Sequence, residues 1–167
     1  MVQAIKKRRA AREYLNQSIP EDKLNRILEA AMYAPSANAI YPWKLIVVTK
    51  LETREELAKA TPWSAHAKEA PIVIAVLGLE KESPYWVEDC SIVAQNIWLQ
   101  ATEEELSSCW IQIRNNSNAE KEVKAILKIP DDLRVLCLMP IGVPAKPLKE
   151  HGPEAFKKDR VLYEKYK

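Results

Sequence analysis

Glycine is nearly absent. Gly78, Gly142 and Gly152 are the only three in 167 residues. A GxGxxG dinucleotide fingerprint or a P-loop needs more of them at closer spacing, so neither cradle can be built. Histidine is scarcer still: His66 and His151 lie far apart, and no metal-ligand spacing or histidine-based triad appears. Cys90, Cys109 and Cys137 form no CxxC, which favours buried, reduced thiols in a cytoplasmic protein. The longest apolar run, "PIVIAVLGL", is too short for a bilayer, and charges from Lys6 onward leave no room for the apolar region of a signal peptide. Charge of one sign is also lacking, with 25 Lys and Arg against 23 Asp and Glu. No long-range field favours nucleic acid as a partner.

What is present reads as one globular domain over 1–167. Hydrophobic residues make up 47% and charged residues 29%, enough for a buried core. "SIPEDKLNRILEAAMYA" predicts a helix, with Ser18 and Glu21 as a capping box and Leu24, Ile27, Leu28 and Ala31 at helical spacing. "KLIVVT" and "APIVIAVLGL" predict strands, the second buried on both faces. Residues 53–60 predict a short helix, and Trp86 to Leu106 a long one with a wide apolar stripe. "CWIQI" predicts a third strand. "SNAEKEVKAIL" predicts a helix capped by Ser117 and Glu120, and "LRVLCLMPIG" a fourth strand. Strands and helices mix without βαβ regularity, so the fold class is α+β.

The densest charge sits in "MVQAIKKRRAAREY". On a helix, Arg8, Arg9 and Arg12 would share a face while Val2 and Ile5 anchor the other. Convergent guanidiniums repel unless an anion neutralises them, and their forks match phosphate oxygens. A solvated basic face is the competing reading. A nucleic-acid arm is disfavoured, because no second basic patch with interleaved aromatics supports it.

"IKKRRAAREY" resembles the "RRSxRxY" opening of the FMN-dependent nitroreductase family. "ILEAAMYAPSANAIYPWKLIVV", "EAPIVIAV", "YWVEDCSIVAQNIWLQA", "SCWIQIRNN" and "VLCLMPIGVP" resemble its later segments in order and spacing, and "LYEKY" its closing segment. The resemblance covers nearly the whole chain. It implies a mixed, mainly antiparallel sheet flanked by helices in an intertwined homodimer. FMN would lie at the subunit interface, and electrons would pass from NADH or NADPH to nitroaromatics, quinones or similar small acceptors by a ping-pong route.

Carried over residue by residue, Arg8 and Arg9 would face the FMN phosphate and ribityl chain, and Arg12 the pyrimidine edge. Ser36, Ala37 and Asn38 would reach the flavin from the other subunit. Gln112 and Ile113 would lie beside the isoalloxazine, and the backbone of Ile141 and Gly142 near the phosphate. Lys146 or Lys149 would complete the phosphate site. Arg114 is either a substrate contact or a surface arginine. Trp43 and Trp110 read as core. No residue is singled out as a catalytic acid or base.

The chain departs from the family pattern in three places. Ala10 replaces the usual serine, Ala39 and Tyr41 replace an Asn and a Gln, and "EEELSSCW" replaces "LGLGSCW". Lost glycines at 104–107 predict a longer or reshaped turn. These changes keep two other readings open: a flavin-binding carrier or sensor, and a flavin-free structural dimer. The tail from about Pro153 to Lys167 carries Phe156, Val161, Leu162, Tyr163 and Tyr166 among charges, which predicts docking on a partner subunit.

Overall fold

A computed structural model describes residues 1–166. The elements in chain order are α1 (Gln3–Lys7), α2 (Glu21–Met32), β1 (Trp43–Val48), α3 (Leu51–Leu57), β2 (Ile72–Gly78), α4 (Trp86–Glu103), β3 (Ser107–Ser108), β4 (Ile111–Gln112), α5 (Ser117–Leu127) and β5 (Arg134–Gly142). The sheet order is β1-β2-β5-β3, with β4 also on β5. Every ladder is antiparallel. The parallel contact is a single bridge, Ala10 to Ser108. The α+β architecture is as the resemblance implies.

Alternation along β2 explains its apolar sequence. Ile74 and Val76 face α2 and α4, while Val73, Ala75 and Leu77 face α3 and α5. Two cores therefore lie on opposite sides of one sheet, and β2 is buried on both faces. In β5 the alternation slips. The register shifts opposite Val76 and Leu77, leaving Leu136 as the extra residue. Leu136 and Cys137 consequently share one core. The bulged Leu136 carbonyl accepts from the backbone of Ile113 (3.3 Å) and Arg114 (3.0 Å), which holds the end of β4.

Several local expectations are corrected. The first helix stops at Lys7, so Arg8 is its C-cap and Arg9 and Arg12 lie beyond it. Val2 and Ile5 are exposed, and Ala4 is the buried anchor. Pro20, not Ser18, precedes α2, and no side chain caps it. Asn116 caps α5 by accepting from Ala119 N–H at 3.1 Å. The third predicted strand is split into β3 and β4, with Cys109 and Trp110 between them. The short helix runs over 51–57 and the long one ends at Glu103.

The turn after α4 closes without glycine. Leu106 N–H bonds the Ala101 carbonyl (2.8 Å) and Glu105 N–H the Thr102 carbonyl (3.2 Å), the pattern of a Schellman cap. Glu105 takes the left-handed conformation at φ 62° that glycine would adopt freely. Arg26 binds both carboxylate oxygens of Glu104 (2.6 and 2.9 Å) and Lys23 its carbonyl (2.7 Å), tying the turn to α2. The wide stripe of α4 is covered within the chain by the sheet, α2 and the N-terminal segment, so its width alone implies no second subunit. No helix among the described residues is long and apolar enough to cross a membrane.

Candidate functional site

Residues 8–15 run in extended form past the β3 end of the sheet. Ala11 N–H donates to the Ser108 carbonyl at 3.1 Å, and Leu15 N–H to the Val143 carbonyl at 2.9 Å. The Arg9 carbonyl accepts from Ser107 Oγ (2.8 Å) and Trp98 Nε1 (3.3 Å). Tyr14 is buried, and its hydroxyl donates to the Ala11 carbonyl at 2.6 Å. The segment is therefore fastened through its backbone and one tyrosine, and its arginine side chains are left over.

Those side chains have no carboxylate. Among the described residues, no ion pair involves Arg8, Arg9 or Arg12. Arg8 lies 4.4 Å from the centre of the Trp98 ring and 3.5 Å, Nη2 to Nε2, from His151. Burial, and then the charge of Arg9, lower the Arg8 pKa. An anion placed between them would offset that repulsion. The tail contributes the rest. His151 N–H bonds the Lys6 carbonyl at 3.0 Å, and Lys6 pairs with Glu150 at 2.7 Å. A cleft of about 790 Å³ results, lined by Arg8, Lys149, His151 and Phe156. Lys146 lies apart, paired with Glu13 at 2.7 Å, which leaves Lys149 as the lysine facing Arg8.

The other implied site residues are placed as follows. Ser36 spends its hydroxyl on the loop: it donates to Asp89 Oδ2 (2.8 Å) and accepts from Tyr41 N–H (2.8 Å). Ala37 N–H reaches Asp89 Oδ1 at 3.3 Å. Asn38, Ala39 and Tyr41 all have φ of 53–55°, so the loop is strained where β-carbons are least welcome. No hydrogen bond among the described residues joins this loop to the arginine segment. Gln112 is exposed and links Trp110 Nε1 (2.8 Å) to the Arg114 carbonyl (2.7 Å). Ile113 and Ile141 point into the core. Gly142 is packed so closely that a β-carbon would sit 2.8 Å from Pro71 and 2.9 Å from Tyr14.

Arg114 lies 5.7 Å from the Trp86 ring centre, toward the other end of α4, and sits apart from the arginine segment. Trp43 is core, while Trp110 is half-buried. The three cysteines are free and buried. Burial, then the nearby Asp89, pushes Cys90 up to about 12, and burial also raises Cys109 and Cys137. No metal-holding cluster occurs among the described residues. The histidines are what sequence reasoning missed. His151 flanks Arg8, and the Arg12 charge bears on His66, so the two remote histidines stand at opposite ends of the arginine segment. Only the tertiary fold carries that signal.

The donor set fits the phosphate-bearing cofactor implied by the resemblance. Arg8, with no carboxylate partner among the described residues, and Lys149 supply charge-assisted donors for a dianion in a partly apolar cleft, where His151 lies beside Arg8 and the Glu150 carboxylate is paired with Lys6.

The nitroreductase family profile matches residues 5–71 and 59–143. Along 99% of its length the chain is 34% identical to the "Putative NADH dehydrogenase/NAD(P)H nitroreductase" of Methanothermobacter thermautotrophicus, covering 87% of that protein. It is 35% identical over 82 residues to the nitrobenzene nitroreductase of Ectopseudomonas oleovorans, 49% of this chain and 33% of that one. An FMN-dependent nitroreductase structure from Clostridium difficile R20291 superposes with a TM-score of 0.96 at 32% identity, covering 99% of this chain and 100% of the other. The protein belongs to the nitroreductase family.

Proposed function

We propose that this protein is an FMN-dependent oxidoreductase that uses NADH or NADPH to reduce nitroaromatic, quinone or similar small acceptors in alternating half-reactions. One observation carries the reading: Arg8, Arg9 and Arg12 are held on a fastened segment with no carboxylate partner among the described residues. Guanidinium forks match phosphate oxygens, so carboxylate-free arginines on one segment, with Arg8 lining the cleft, suit an anionic ligand.

FMN is the cofactor, and when bound it supplies two-electron acceptance from a reduced nicotinamide and delivery to the acceptor. Every other role belongs to the chain. Arg8 and Lys149 hold the phosphate, with His151 beside Arg8. Arg9 serves the ribityl chain. Arg12 places positive charge at the pyrimidine edge, where it stabilises added negative charge without moving. Gln112 and the backbone of Ile113, Ile141 and Gly142 line the ring and phosphate walls. Ser36, braced by Asp89, presents Ala37 and Asn38 to the site of a second subunit. No side chain is required as a general acid or base.

The assembly is an intertwined homodimer of one FMN-binding domain per chain. The tail supports this: Phe156, Leu162, Tyr163 and Tyr166 are 64, 50, 82 and 91% exposed on the single chain. A partner surface would bury them. Truncation after Gly152 is expected to reduce dimerisation and flavin retention together, followed by sedimentation with flavin absorbance in the same run. A truncated chain that stays dimeric and yellow would remove the tail from the site.

The decisive experiment is anaerobic titration of flavin-loaded protein with NADH and with NADPH, followed by addition of a nitroaromatic or a quinone. Bleaching by the nicotinamide and recovery of colour with the acceptor is the expected result. Protein that binds no FMN overturns the proposal, and flavin that no nicotinamide bleaches would make the protein a carrier.

A further inference from the structure

Asp89 is 4% exposed, and no ion pair among the described residues involves it. A buried carboxylate without a cation is costly, so what compensates it is informative. It lies in the first turn of α4, where the unpaired N–H groups of a helix favour negative charge. Its two oxygens accept from a distant part of the chain, Oδ2 from the Ser36 hydroxyl at 2.8 Å and Oδ1 from Ala37 N–H at 3.3 Å. Ser36 Oγ in turn accepts from Tyr41 N–H at 2.8 Å. Asp89, Ser36 and Tyr41 therefore form a relay that closes the loop between α2 and β1 on itself.

That loop has an unfavourable shape to hold. Asn38, Ala39 and Tyr41 have φ of 53, 53 and 55°, and the chain has no glycine before Gly78 to take such values freely. Strain of this kind persists only where the surroundings impose it. Ala39 N–H bonds the Ser36 carbonyl at 3.1 Å and Ile40 N–H the Ala37 carbonyl at 3.3 Å, so both loop bonds end on residues that Asp89 holds. The far side of the loop faces outward, with Ile40 37% and Tyr41 53% exposed. None of its residues lines the Arg8 cleft of its own chain.

We infer that Asp89 is a positioning residue that acts in trans: through Ser36 and Ala37 it fixes the loop that completes the flavin site of the second subunit. The inference rests on the FMN and homodimer reading above. It adds a residue from α4, buried at the base of the loop and outside every segment assigned to the flavin. It also means that the arginines and the carboxylate serving one flavin belong to different chains.

Two defective variants test this together. Arg8→Ala damages the arginine segment and Asp89→Ala the loop. Each is made as a full-length homodimer, and the two chains are also co-expressed under different affinity tags so that mixed dimers can be purified. FMN affinity is read by quenching of flavin fluorescence, and the visible spectrum of the bound flavin reports its surroundings. Asp89→Ala alone is expected to bind FMN about tenfold more weakly, the value of one good hydrogen bond, with an altered spectrum. In the mixed dimer, one site joins the intact arginine segment of one chain to the intact loop of the other. That site is expected to regain wild-type affinity and spectrum, which a defect confined to its own chain cannot produce. Asp89→Asn, which keeps an oxygen acceptor, and Ser36→Ala, which keeps the carboxylate, are expected to give smaller losses, and either takes the place of Asp89→Ala in the pairing if that variant does not fold. Mixed dimers in which both sites stay defective overturn the inference, and so does an Asp89→Ala homodimer with wild-type affinity and spectrum; FMN binding by wild type leaves the cofactor reading standing in both cases. Wild type that binds no FMN, or binds it as a monomer, removes the reading above and this inference with it.

Discussion

Trp86 opens α4 and Trp98 lies some three turns further on, about 18 Å along the axis at roughly 1.5 Å per residue. Each has a guanidinium against its ring, Arg134 at 5.8 Å from the first and Arg8 at 4.4 Å from the second. Each arginine lies against a tryptophan of α4, and their other neighbours differ. Arg134 is bracketed by carboxylates: Glu120 takes its Nε and Nη2 at 2.8 and 3.0 Å, and Glu80 takes its Nη1 at 2.8 Å. Glu120 also accepts from Val135 N–H at 2.9 Å. Arg8 has Arg9 and His151 for neighbours and no carboxylate among the described residues. The saturated arginine fastens α5 to the start of β5. The unsaturated one is the binding group of the proposed FMN site. Pairing state, not residue type or burial, separates the two roles.

Breaking the saturated end is expected to give the largest effect. Glu120→Ala leaves the Arg134 guanidinium and the Val135 N–H without their buried partner, at about 3–5 kcal/mol of stability. Denaturant unfolding measures this, and FMN affinity of the folded fraction should not change. The same residue sets an acid dependence. Burial pushes the Glu120 carboxyl up, but the Arg134 bond, the Val135 N–H and the Arg134 charge outweigh it, so its pKa lies below the ordinary value. Its contribution is present in full above the unfolded glutamate range near pH ~4.3 and fades as pH falls through the lower native value. Glu120→Gln should flatten that part of the acid-unfolding curve.

Breaking the unsaturated end should do the opposite. Arg8→Ala is expected to cost about 1.5–3 kcal/mol of FMN affinity, roughly 10- to 150-fold, with stability unchanged or slightly raised because the Arg9 repulsion is relieved. Flavin retention after dialysis and a denaturant curve on the apoprotein give both halves. A loss of stability with unchanged affinity would make Arg8 a structural residue.

The comparison is sharpened by a site where strain, not charge, is at issue. Glu105 holds a left-handed conformation next to Glu104, whose carboxylate is saturated by Arg26. Glu105→Gly should stabilise by about 1 kcal/mol, read from thermal or denaturant unfolding, with flavin affinity unaltered. The smallest effect is expected at Lys146, exposed and paired with Glu13. Lys146→Ala should change stability by no more than about 0.5 kcal/mol and leave flavin binding intact. Lys149→Ala should weaken flavin binding measurably, because that lysine faces the Arg8 cleft.

Much of this molecule was legible before any coordinates. The buried strand β2, the helices α2, α4 and α5 and the α+β class follow from hydrophobic periodicity, because burying one face or both leaves a local pattern in the chain. The arginine cluster is equally visible in "KKRRAAR". Its geometry was misread. Helical spacing puts Arg8 and Arg12 on one face, but the helix ends at Lys7 and the arginines lie on an extended segment bridged to β3. What ended the helix is a tertiary term: backbone bonds to Ser108 and Val143, far along the chain, outweigh a weak local propensity. The Leu136 bulge, the split of the third strand and the choice of Lys149 over Lys146 have the same origin. So does the placement of His66 and His151 at the two ends of the arginine segment, which no spacing between them announced. Composition and periodicity report what each residue prefers to bury. Which charges are neutralised and which are left for a ligand depends on what the fold brings alongside them, and that is decided in three dimensions.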